Sequence, residues 1–238
     1  MLDTKGNRIT YFGHSTFSLT TPSGQVALID PWVMTNPACP APLKKGVPRL
    51  DAIFLTHAHM DHMGDLLALA KQHRPKIAAI FETCLWIESK GFVEETCPMG
   101  KGGSQKVGEF EVTMTNAFHS NSIDEKGVRH YGGEPAGYIV RMPGGFSLYH
   151  AGDTAVFGDM KLIGELYKPD LALLPIGDRF TMGPREAAYA IRLLGVKHVV
   201  PMHYATFPFL TGTVDELRNE TQKIKKLTIH ALKPGENL

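Results

Sequence analysis

The ten residues "LTHAHMDHMG" at 55–64 constrain this chain more than any other stretch, because three histidines and an aspartate fall within positions 57–62. The preceding "LDAIFLT" reads as a buried strand. The following "GDLLALAKQHRP" carries apolar residues at helical spacing and ends at Pro75, so the cluster sits on a strand-to-helix loop. Residues two apart on an extended segment project to the same side. His57 and His59 therefore suit two ligands of one metal ion. Asp61 and His62, at the turn into the helix, add a carboxylate oxygen and a further imidazole close enough to serve a second ion.

The rest of the chain reads as strands followed by β/α units, twice over. "RITYFGH", "FSLTT" and "QVALID" form a meander turned at Gly24, and "KIAAIF" is a strand with a helix around "TCLWIESKG". A glycine-rich turn then leads into the alternating strand "FEVTMTNAF". "AGYIVRM" and "GFSLYHAGD" form a hairpin across Pro143 and Gly144. "FGDMKLIGELYKP", "GPREAAYAIRLLG" and "TVDELRNETQKIKK" are helices, the second with Pro184 at its start, interleaved with the strands "DLALLPIG", "VKHVVPMH" and "LTIHAL". This pattern predicts an α/β sandwich of two packed sheets with helices outside, a single domain over 1–238. Two long segments, 34–48 and 120–135, fall outside it and are expected to wall a substrate pocket.

Composition removes several classes. Lys plus Arg number 25 against 24 Asp plus Glu, with no basic run, so no nucleic-acid partner is expected. The N-terminus lacks the basic end and apolar stretch of a secretory signal, and no stretch is long and apolar enough for a membrane span, so a cytoplasmic protein is expected. Cys39, Cys84 and Cys97 show no paired spacing and read as free thiols. "GKGGS" at 100–104 lacks the spacing of a phosphate-binding loop.

The order His-x-His-x-Asp-His resembles the signature of the metallo-β-lactamase superfamily. "YFGHSTF", "LIDPW", "PAGYIV", "LPIGDRFTMGPREAA" and "HYATFP" extend the resemblance to a branch of uncharacterised metal-dependent hydrolases near L-ascorbate-6-phosphate lactonase. The resemblance implies a four-layer αββα fold and a site for two divalent metal ions. It also implies three more ligands: His119 in "TNAFHSNS", Asp153 in "LYHAGDT" and His203 in "VVPMHYATFP". One ion would then take His57, His59 and His119 and the other Asp61, His62 and His203, with Asp153 bridging. Zinc is the default, with manganese, iron and nickel compatible with the same donors. His59 stands where the diiron oxygen-reducing branch carries a glutamate, which favours hydrolysis over redox chemistry.

Such a site would use a water or hydroxide bridged by the two ions to attack a lactone or other ester of a small polar substrate, with or without a phosphate. A phosphodiesterase and a non-catalytic metal-binding protein stay open as alternatives. Asp61 would also orient the nucleophile. His14, in "YFGHSTF", is assigned a catalytic part as substrate contact or proton donor. Arg179 is a candidate anion clamp, Tyr204 and Thr206 candidate hydroxyl contacts, and His150 a support for Asp153. Gly152 and Gly177 are expected to turn the backbone sharply beside the site. His73, His130, His198 and His230 read as surface or structural. Relatives of this branch assemble, so a homo-oligomer is expected.

Overall fold

Two β-sheets face each other, and the side-chain alternation of their strands decides what lies between them. In the computed structural model, which describes residues 2–45, 47–91 and 95–238, the first sheet holds β1 (Arg8–Gly13), β2 (Thr16–Thr20), β3 (Val26–Ile29), β4 (Ala52–Phe54), β5 (Lys76–Ile80) and β6 (Thr96–Met99) in chain order. The first three strands form the expected antiparallel meander, and β3 to β6 run parallel. Helices α1 (Met60–Met63), α2 (Leu66–His73) and α3 (Phe81–Glu88) join its parallel strands.

The second half supplies β7 (Ser104–Val107), β8 (Phe110–Asn116), a hairpin of β9 (Ser122–Glu125) and β10 (Val128–Tyr131), then β11 (Ala136–Arg141), β12 (Ser147–His150), α4 (Met160–Tyr167), β13 (Leu171–Pro175), α5 (Pro184–Leu194), β14 (His198–Met202), α6 (Val214–Thr221) and β15 (Thr228–Ile229). All but the hairpin form one sheet in the order β15-β14-β13-β12-β11-β8-β7. Successive side chains on a strand point to opposite faces, and both sheets use this on two apolar faces. Phe54, Tyr138, Val140, Leu148 and Leu173 belong to the core between the sheets. Their neighbours Ile53 and Leu55 pack outward against Leu66, Leu69 and Ile87 of α2 and α3. Ile139, Tyr149, Ala172 and Leu174 pack outward against α4, α5 and α6. Three apolar layers thus separate four layers of secondary structure, the expected αββα sandwich.

Local chemistry explains the helix ends. Pro184 opens α5 and Gly195 closes it in the left-handed conformation at φ 67°. Thr213 and Glu216 cap α6 reciprocally. The helix expected after the histidines is α2, and a further short turn, α1, precedes it across Gly64 and Asp65. There the Asp65 carboxylate accepts from the backbone N–H groups of Val33 and Met34, both at 2.6 Å.

The two long segments part company. Residues 120–135 form the β9–β10 hairpin and its flanks. Residues 34–48 fold back instead, with Cys39 and Val47 in the outer core and Asn36 donating to the carbonyls of Gly13 and Trp32; Gly46 lies outside the described residues. The final strand shortens to the two residues that pair with His198 and Val199. Among the described residues no helix is long and apolar enough to cross a membrane.

Candidate metal centre

β1, β3 and β4 are mutually parallel, as are β8, β12, β13 and β14. Their C-terminal ends meet along one edge of the sandwich. Every residue expected in the site follows one of these ends: His14 after β1, His57 to His62 after β4, His119 after β8, Asp153 after β12 and His203 after β14. His14, Asp30 and His203 all leave their strands at positive φ, 59°, 51° and 54°, a region costly for non-glycine residues and common where a site demands it.

Two groups of donors result. His57 Nε2 lies 3.0 Å from His59 Nδ1, which lies 3.3 Å from His119 Nε2. Asp61, His62 and His203 gather beside them together with His14. Asp153 stands between the groups. Its Oδ2 is 3.0 Å from His203 Nε2, 3.3 Å from His62 Nε2, 3.7 Å from His119 Nε2 and 4.0 Å from His57 Nε2. One carboxylate oxygen therefore faces imidazole nitrogens of both groups.

The donor chemistry fits metal ions. Buried polar atoms are normally paired, yet His62 Nε2, both ring nitrogens of His203 and Asp153 Oδ1 are buried without a hydrogen-bond partner. Imidazole nitrogen with carboxylate oxygen is a donor set for zinc and the later first-row divalent ions rather than for magnesium or calcium.

The His57 and His62 rings are oriented by a residue to which the sequence assigned no role. Asp30, at the end of β3 in "LIDPW", is fully buried and accepts at Oδ2 from His62 Nδ1 at 2.7 Å and from the Thr56 hydroxyl at 2.8 Å, and at Oδ1 from the Thr56 N–H at 2.8 Å. Because that hydroxyl donates to Asp30, it accepts from His57 Nδ1 at 3.0 Å. Both histidines then carry a proton on Nδ1 and turn Nε2 inward, bare in neutral His57 and, in His62, the atom at which a metal ion would replace a proton. The sequence signal for Asp30 is an acidic residue closing an apolar strand, in the "LIDPW" stretch that also carries the family resemblance.

Other contacts tie the loops together. Asn121 accepts from the Ala58 N–H and donates to the Gly132 carbonyl, each at 2.8 Å. Thr154 Oγ1 accepts from the Phe118 N–H at 3.0 Å, holding the His119 segment to the Asp153 turn. His150 takes the supporting place expected of it: Nδ1 accepts from the Gly152 N–H at 3.1 Å, so Nε2 carries the proton donated to the Ser15 carbonyl at 3.0 Å.

Electrostatics follow from burial opposed by pairing. Burial drives His57 well below the usual imidazole range. Burial would lower His62 and His203 too, but the Asp153 charge reverses this, lifting His62 well above that range and His203 to about 9. Burial would raise Asp153, and His203 and His62 hold it well below the usual carboxylate range instead. Asp61 behaves likewise, its burial outweighed by the hydrogen bond to His14 and the His203 ring 3.7 Å away.

His14 is fully buried, with Nε2 3.0 Å from Asp61 Oδ2 and Nδ1 2.9 Å from Thr206 Oγ1; burial lowers it to about 4. Thr206 thus reaches the site through His14, while Tyr204 packs against the helix side of the second sheet. Arg179 lies over the rings of Phe180 and Phe209 at 5.5 and 5.3 Å. Gly152 turns at φ +63° as expected. Gly177 does not: its φ is ordinary, and glycine is needed because a Cβ there would overlap the His203 carbonyl oxygen. His198 and His230 pair with each other at 3.0 Å across β14 and β15.

Residues 26–204 match the family model described as a beta-lactamase superfamily domain. A "UPF0173 metal-dependent hydrolase" of Rubrobacter xylanophilus is 55% identical over 98% of this chain and 96% of its own length. This chain belongs to that family. Igni18, "a novel metallo hydrolase" of the archaeon Ignicoccus hospitalis, is 35% identical, covers 98% of this chain and 97% of its own, and superposes with a TM-score of 0.85. The metallo-beta-lactamase fold protein YhfI of Bacillus subtilis shares the fold at 18% identity, with a TM-score of 0.74 over 98% of both chains.

Proposed function

We propose that this chain is a metal-dependent hydrolase that opens a lactone or cleaves another ester of a small molecule, with two divalent ions, zinc by default, held at the strand ends. His57, His59 and His119 hold one, Asp61, His62 and His203 the other, and Asp153 bridges. The observation that carries the proposal is the Asp153 oxygen that faces imidazole nitrogens of both donor groups. When bound, such ions lower the pKa of a shared water from ~15.7 toward neutrality and polarise the oxygen of the bond under attack.

The protein's own groups do the rest. Asp61, kept ionised by His14 and His203, accepts a hydrogen bond from the nucleophile and orients it. His14 holds Asp61 in place from a fully buried position, which makes it a positioning residue. Asp30 and Thr56 set the tautomers of His62 and His57.

The test is hydrolysis by the zinc- or manganese-loaded protein of sugar lactones, thioesters and bis-aryl phosphodiesters, with Asp153→Ala alongside. Lactones or other carboxylic esters are expected to turn over, and the variant to lose about 10³-fold or more, the several kcal/mol that metal stabilisation supplies. Dominant phosphodiester cleavage would move the assignment to a phosphodiesterase. No turnover of any substrate would refute the hydrolytic reading.

A further inference from the structure

Beside the metal centre lies a cleft of about 760 Å³ between α1, α2 and Trp86 of α3 on one side and the β9–β10 hairpin on the other. Its volume is that of a small-molecule site, in the range of about 300–1,000 Å³. His59 lines the cleft as well as the first donor group, so the cleft opens directly onto the reacting centre. Its helix-side wall is apolar, formed by Met60, Met63, Leu67 and Trp86, whereas the hairpin side carries Ser120, Ser122, Asp124 and Arg129. Met60 directly follows His59 and is 68% exposed, an apolar side chain left in water at the mouth of a polar centre. Among the described residues Arg129 is the one cationic side chain in the lining, and Asp124 is its direct cross-strand neighbour, so a phosphate would meet a rim without net charge.

We propose that this cleft binds the non-reacting part of the substrate and that this part is an apolar acyl or alkyl chain, not a phosphorylated sugar. The inference rests on the hydrolytic reading for the reaction, but its binding half stands apart from turnover. A methylene moved from water into an apolar cleft contributes about 0.8 kcal/mol, a three- to fourfold gain in affinity. Thioether walls adapt to chains of different shape, so the gain is expected to persist over several carbons and level off when the cleft is full.

Two series on the zinc-loaded protein test it. The first is kcat/KM for p-nitrophenyl esters from acetyl to octanoyl. The second is equilibrium binding of primary alcohols from propanol to octanol, read by the emission of Trp86; the protein's other tryptophan, Trp32, is buried. Both series are expected to climb about three- to fourfold per methylene. Met63→Gln, which keeps the side-chain length, and Leu67→Asn are each expected to flatten both gradients. Alcohols that bind with this gradient while no ester turns over would remove the hydrolytic reading and leave the cleft assignment standing. No gradient in either series, or one untouched by both variants, would overturn the cleft assignment.

Discussion

Asp30→Asn removes the one carboxylate on which the protonation pattern of both donor groups depends. If the new amide places its NH₂ where Oδ2 was, that group donates to Thr56 Oγ1 and confronts His62 Nδ1 with a second donor. His62 must then move its proton to Nε2. Thr56, now accepting from the amide, must donate to His57 Nδ1, which drives that histidine's proton to Nε2 as well. Both metal-facing nitrogens are thereby blocked. If instead the amide oxygen keeps its place against His62 and Thr56, the NH₂ faces the Thr56 N–H, which loses its acceptor inside a fully buried pocket. An unsatisfied buried donor costs about 1–3 kcal/mol. The metal-free protein escapes by adopting the first arrangement, and the metal-loaded protein does not. The difference appears as metal affinity: about 5- to 150-fold weaker binding, of the order seen when partners behind metal ligands are removed. Competition for zinc against a chromophoric chelator reads it directly, and thermal unfolding of the metal-free variant shows whether the fold survives. Affinity within twofold of the unsubstituted protein, at both ions, would refute the tautomer argument.

Other outcomes follow from single contacts. His14→Ala is expected to keep its full metal content by elemental analysis while kcat falls about 10- to 100-fold with little change in KM; unchanged turnover with unchanged metal would remove His14 from the mechanism. Gly177→Ala forces a Cβ against the His203 carbonyl and is expected to cost about 1–3 kcal/mol, with loss of metal at the His203 side; a melting temperature equal to the parent's would show that the strand end yields freely. Burial raises the Cys39 and Cys84 thiols to about 11 and about 12 and raises Cys97 as well, and the thiolate is the reactive form. Near pH 8 an aromatic disulfide reagent is expected to modify none of the three within minutes in the folded protein and all three in denaturant; a fast native-state reaction would contradict the packing of Cys84 under α3.

The donor cluster was legible in the sequence because metal ligation demands particular side chains at short spacings, and His57, His59, Asp61 and His62 are neighbours on one loop. The two sheets were legible because strands buried on both faces are continuously apolar, as in "LALLP" of β13. The hairpin at 122–131 was not, since its second strand is wholly exposed and carries no apolar alternation. Nor was the inward fold of 34–48, which depends on Asp65 and Asn36 reaching backbone groups far along the chain. Asp30 escaped notice for a related reason: it lies 27 residues before His57, and nothing short of the pairing of β3 with β4 brings them together.

Residue chemistry by itself therefore determined that this protein gathers imidazoles and carboxylates at strand ends, because no common structural role needs those side chains at that spacing. Tertiary structure alone decided how Asp153 stands between the two donor groups, which residues orient the rings of His57 and His62, and which cleft opens beside them. These depend on distances between residues remote in sequence, and only the parallel strand ends and the packing of the two sheets set those distances.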